Sequence, residues 1–140
     1  MTDVPDLSHA TSYLLDANVL IALAIVEHEH HDRVTRWASH GERLALCPIT
    51  EGALVRTLVR LGERAQTARL LLQGFYDSGR CEFWTGSVSY ADLDLGTLRG
   101  HRQATDAYLA GLADARGALL ATLDEGLALA HPASILLLPA

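Results

Sequence analysis

The chain contains no lysine; all 11 of its basic residues are arginines. That absence removes every site that depends on a lysine point charge, a Walker phosphate loop among them. Cysteine is scarce as well. Cys47 and Cys81 sit in the apolar stretches LALCPI and CEFW without CxxC spacing, so two buried thiols are expected instead of a disulfide. No hydrophobic run reaches the roughly 18 residues of a membrane span, and the opening MTDVPDLSH lacks the basic and apolar regions of a signal peptide. A cytoplasmic protein with no membrane association is the expectation. A basic stripe is also missing. The net charge of −6 argues against a surface that coats nucleic acid through its general charge, while leaving room for a small acidic catalytic pocket.

What is present suits one globular domain, expected to span residues 1–140. At 49% hydrophobic and 20% charged residues the composition is ordinary for a soluble protein, and a chain of this length buries roughly 68% of its unfolded surface. After a polar lead of about ten residues, SYLLD reads as a short buried strand and NVLIALAIV as a helix apolar all round. HHDRVTRWASHG follows as an amphipathic helix with Asp32 as its N-cap, then LALCP as a second strand. TEGALVRTLVRLG is read as a helix opened by Thr50, and ERAQTARLLLQGFYDSG as another. CEFW is a third strand, YADLDLGTLRG a helical piece, and QATDAYLAGLADARG a helix. ALLATLD, EGLALA and ASILLLP complete the series as strand, helical turn and strand. Alternation of helices with continuously apolar strands is the signature of a parallel sheet covered on both faces.

In such sheets ligands bind outside the carboxyl ends of the strands. Asp16 ends SYLLD, Glu51 follows LALCPIT, and Asp124 ends ALLATLD. A fourth acid, Asp106, is brought to the same edge by chain length: roughly 16 Å of helix out to Arg116 and roughly 20 Å of strand back nearly cancel. Thr50 and Thr105 each precede an acid at a helix start, where a capping hydroxyl and the helix dipole favour an ionised carboxylate. Asp16 itself, set between two apolar runs, either caps a helix or faces a cation.

Four carboxylates on one rim repel, and a divalent cation relieves that repulsion; all-oxygen ligands suit Mg²⁺ or Mn²⁺. Such an ion polarises a phosphoryl oxygen and activates water for attack on a phosphodiester. Asn18 could orient an acid or a water. The competing explanation, helix caps and solvated edge residues, accounts well for any one of these acids and poorly for all four together.

In chain order, LLDANVLIAL, PITEGALVR, GHRQATDAYL and LATLDEGL resemble the four acidic blocks of PIN-domain ribonucleases, in particular the VapC toxins of bacterial toxin–antitoxin pairs. HHDRVTRW is similar to the family's second helix, and the likeness runs from about residue 13 to 138. The resemblance implies a three-layer α/β/α fold around a central parallel sheet and an acidic quartet of Asp16, Glu51, Asp106 and Asp124, with Asp16 and Asp106 as direct metal ligands. It further implies a Mg²⁺-dependent endoribonuclease, a homodimer, and an antitoxin whose C-terminal segment occupies the acidic groove. Leu123 stands where the family commonly has an aromatic residue.

Other readings compete with this one. The run EHEHHD, residues 27–32, suggests zinc, but His28, His30 and His31 cannot all converge from one regular helix. Asp92, Asp94 and Asp114 read as solvated. Arg99, His101 and Arg102 either contact phosphate or cap a helix. An aspartyl-phosphate enzyme or receiver domain would use a second acid near Asp16 and a late lysine, where this chain has Asn18 and no lysine. A non-catalytic binding module on the same fold is the remaining alternative.

Overall fold

Short apolar strands alternate with helices along the chain in the computed structural model, which describes residues 11–96 and 98–140. The polar lead, with its expected lack of a signal sequence, lies outside the described residues, as does Thr97. Five strands, β1 (Ser12–Leu15), β2 (Arg43–Leu46), β3 (Cys81–Phe83), β4 (Leu119–Thr122) and β5 (Ile135–Leu137), form one sheet in the order β3-β2-β1-β4-β5. Every pairing is parallel. Among the described residues six helices accompany them: α1 (Ala17–Ala24), α2 (His31–Ala38), α3 (Pro48–Arg60), α4 (Ala65–Asp77), α5 (Gln103–Ala115) and α6 (Glu125–Ala130).

The continuous apolar character of the strands follows from burial on both faces. In β1, Leu15 joins the core beneath α1, α2, α3 and α4, whereas Leu14 faces the core beneath α5 and α6. Leu44 and Leu46 of β2 point to the first core and Ala45 to the second; in β4, Ala121 and Leu120 divide the same way. This is the period-two alternation of a strand between two apolar layers, and it confirms the expected three-layer α/β/α arrangement. Each fully buried leucine, such as Leu14, Leu20 or Leu120, contributes about 1.5–3 kcal/mol relative to its exposed state. Both Cys47 and Cys81 are buried free thiols, as expected, and burial pushes the Cys81 thiol up to about 11.

Several local expectations need correction. α1 stops at Ala24, and Ile25 is already extended. Asp32 does not cap α2: it lies in the first turn, and His31 ties the helix down instead, its Nδ1–H donating to the Ala22 carbonyl at 2.8 Å. α3 starts two residues before Thr50, with Cys47 as N-cap and Pro48 at the first helical position, where its missing N–H costs nothing. YADLDLGTLRG contributes one 3-10 turn, Tyr90–Asp92, and no longer helix among its described residues. From that turn Leu93 reaches back to α5, where Gly111 leaves a notch: a Cβ there would run into a Leu93 methyl.

Candidate active site

The strand order places β2 and β3 on one side of β1 and β4 and β5 on the other, so chain direction across the sheet reverses between β1 and β4. A crevice outside the carboxyl ends of the strands is expected at such a reversal. Asp16 stands there directly after β1, and Asp124 two residues past the end of β4.

Asp16 answers the choice posed by its position: it does cap a helix, and its environment goes beyond a cap. Its Oδ1 accepts from the Ala17 N–H at 2.8 Å, while its Oδ2 accepts from the Thr122 hydroxyl at 2.8 Å. Only 6% of the residue is exposed, and burial raises its pKa against the lowering effect of those two hydrogen bonds, with the Asp124 charge adding to the rise. Asp124 is exposed and caps α6, its Oδ1 accepting from the Leu127 N–H at 3.2 Å. Thr122 connects the two acids, since its Oγ1 donates to Asp16 and accepts from the Asp124 N–H at 3.1 Å.

Asp106, half-buried near the start of α5, feels the same field. Burial and then the charges of Asp16 and Asp124 push its pKa up to about 6 from 3.8. It lines a cavity of about 180 Å³ together with Asp124. Glu51 is held differently, from α4: the Tyr76 hydroxyl donates to its Oε2 at 2.7 Å, and Tyr76 meets Phe83 edge-on at 6.2 Å. Burial and the Glu51 bond raise the Tyr76 pKa, so the hydroxyl remains a donor. Asp16, Asp106 and Asp124 therefore stand within electrostatic reach of one another, whereas Glu51 is held separately by Tyr76.

Of the three polar residues expected to assist, neither threonine is a helix N-cap. Asn18 Oδ1 accepts from the Leu123 N–H at 3.5 Å, a long bond to the turn before Asp124. Thr50 is buried in the first turn of α3, its hydroxyl accepting from the Cys47 N–H at 3.2 Å and donating to the Cys47 carbonyl at 3.1 Å. Thr105 is exposed in the first turn of α5 and is not its N-cap, a position taken by Arg102. Two residues were missed. Thr122 was readable as a hydroxyl just before a strand-exit acid, whereas Tyr76 carried no local signal.

Among the described residues no group of three or more His, Cys, Asp or Glu side chains is assembled closely enough to hold a metal; this includes the EHEHHD run, where the His28 Nδ1 accepts from the His30 N–H at 3.0 Å. The rim nevertheless fits a hard cation. Its donors are all oxygen, their charges oppose one another, and Mg²⁺ is commonly held by one or two carboxylates with water completing the shell. Larger concavities lie elsewhere, including one of about 630 Å³ lined by Arg43, Arg80 and Glu82 at the amino ends of β2 and β3.

Fold and rim together define a parallel α/β protein with acids grouped at its strand exits. The PIN domain family model matches residues 13–131, and the chain belongs to that family as a VapC-type ribonuclease. Ribonuclease VapC29 of Mycobacterium tuberculosis is 47% identical over 127 residues, covering 90% of this chain and 96% of the relative. Ribonuclease VapC38 of the same species is 38% identical over 120 residues, covering 81% and 85%. The crystal structure of PAE2754 from Pyrobaculum aerophilum superposes with a TM-score of 0.58 at 24% identity over 96% of this chain and 91% of the other, a likeness of fold alone.

Proposed function

We propose that the protein is the toxin of a type II toxin–antitoxin pair, acting in the cytoplasm as a Mg²⁺-dependent endoribonuclease on single-stranded regions of RNA. The observation that carries this reading is the grouping of Asp16, Asp106 and Asp124 at the reversal between β1 and β4 in a chain 47% identical to a VapC ribonuclease. In this reading Asp16 and Asp106 hold the cation, Asp124 and Glu51 complete the quartet, and Mn²⁺ substitutes for Mg²⁺. When bound, the ion supplies Lewis-acid polarisation of the scissile phosphoryl group and acidifies the attacking water. Thr122 fixes the Asp16 carboxylate, Tyr76 fixes Glu51, and the exposed Arg99 and Arg102 steer the phosphate backbone toward the acids.

The decisive experiment incubates the purified protein with single-stranded RNA. Cleavage with Mg²⁺ or Mn²⁺ that stops on adding EDTA is expected; cleavage indifferent to EDTA would refute the metal assignment, and a folded protein inert toward all RNA would refute the ribonuclease itself. We further propose an antitoxin with a basic, apolar segment, drawn by the acidic rim, whose stable complex lacks cleavage activity. A homodimer through α3 and α4 is supported by the exposed Val59, Leu61 and Leu70. Light scattering at the monomer mass across micromolar concentrations would remove the dimer from this picture.

A further inference from the structure

The cavity that Asp106 and Asp124 share extends past these acids to side chains that the hydrolytic chemistry does not use. It holds about 180 Å³ and is bounded by Leu98, Gln103 and Asp106 on one side and by Asp124, Leu127, Ala130 and His131 on the other. This is below the roughly 300–1,000 Å³ of a drug-sized pocket, and at roughly 30 Å³ per water it has room for about six. A single ring system fits such a space. Leu98, Leu127 and Ala130 supply apolar walls. Gly126 keeps the space beside Asp124 open, since a Cβ there would lie 3.3 Å from the Asp124 Oδ1.

Polar groups give the cavity a direction. Gln103 Oε1 already accepts from the Arg99 N–H at 2.7 Å, so the free end of that amide is its NH₂, which has only donors. His131, half-buried after the end of α6, adds an imidazole to the same lining. Resting on the ribonuclease reading above, we propose that this cavity receives one unstacked nucleobase of the RNA next to the scissile phosphate, a base whose ring carbonyl accepts from Gln103. Recognition of single-stranded RNA proceeds through splayed bases read on their edges. The pocket would thus set which nucleotide flanks the cut.

The test uses a single-stranded RNA that the wild-type protein cleaves with Mg²⁺, resynthesised with an abasic ribonucleotide at each position flanking the cut in turn. One position is expected to lower kcat/KM by about 10-fold or more while its neighbours have little effect. Ala130, exposed at the end of α6, can be enlarged without disturbing the core. Ala130→Leu fills the cavity and should cleave intact RNA as slowly as the abasic substrate, with no further penalty from the abasic site. Gln103→Glu keeps the acceptor for Arg99 and removes the amide donors, so at that position it should turn preference from carbonyl-bearing to amine-bearing bases. If no abasic position matters, or if Ala130→Leu still feels the abasic site in full, or if Gln103→Glu leaves base preference unchanged, the base pocket is wrong while the ribonuclease reading stands. Failure of the wild-type protein to cut any RNA overturns both.

Discussion

The two halves of the carboxyl-terminal rim treat their acids in opposite ways. On the β1/β4 half, burial and then the charges of Asp16 and Asp124 push Asp106 up to about 6. On the β2/β3 half, Glu51 receives a neutral hydroxyl from Tyr76, which is itself braced by Phe83. Clustering like charges destabilises the metal-free protein; holding one acid by a donor does not. The first half therefore carries a repulsion that a bound cation would relieve, and in the second a single side chain is held by one donor.

Substitutions can break this contrast, starting from the clustered half. Asp16→Asn retains a good helix cap and removes one charge, so RNA cleavage should fall by about 100-fold or more while the metal-free melting temperature holds or rises. An unchanged rate and an unchanged thermal response to Mg²⁺ would reduce Asp16 to a cap. Thr122→Val preserves shape but deprives Asp16 Oδ2 of its donor. A loss of about 10-fold in metal affinity is expected, measurable by calorimetry, along with about 1–3 kcal/mol of stability.

Tyr76→Phe tests the other half. With Glu51 only half-buried, water can replace the lost hydroxyl, so stability should drop by about 1 kcal/mol or less and kcat should fall more than KM changes. A kcat equal to wild type would mean that Glu51 does not need aiming. The smallest effect concerns pH. Asp106 binds its proton more tightly in the folded state, at about 6, than at its ordinary value of 3.8. Between those values the native state carries more protons than the unfolded one, so stability of the metal-free protein should decline as pH rises through that window. For a half-exposed group screened by solvent the decline is on the order of 1 kcal/mol. Asp106→Asn should flatten it, and a wild-type stability that climbs over the same range would contradict the shared field.

Much of this architecture was legible in the sequence because buried parallel strands announce themselves as uninterrupted apolar runs. SYLLD, LALCP and ALLATLD end within a residue or two of the observed strands. The strand-exit positions of Asp16 and Asp124 followed directly, and the helix-and-strand distance argument brought Asp106 to them. Capping was less legible. Thr50 resembled an N-cap, but Pro48 at the first helical position had already marked the start of α3. Tyr76 could not have been foreseen, because its bond to Glu51 joins residues on different helices and depends on how α3 and α4 dock. The bond from Leu123 to Asn18 was hidden for a similar reason: the two residues are distant in the chain and become adjacent only once β1 and β4 pair.

The notch at Gly111 has an evolutionary corollary. Leu93 occupies the volume that a side chain at position 111 would take, so the two positions hold one shared allotment of space. A lineage that acquires alanine at 111 must turn or shorten residue 93, and one that first shortens residue 93 is free to enlarge residue 111. Their histories should be coupled even though 93 lies in a connecting segment, where sequence ordinarily drifts without reference to the helices beneath it.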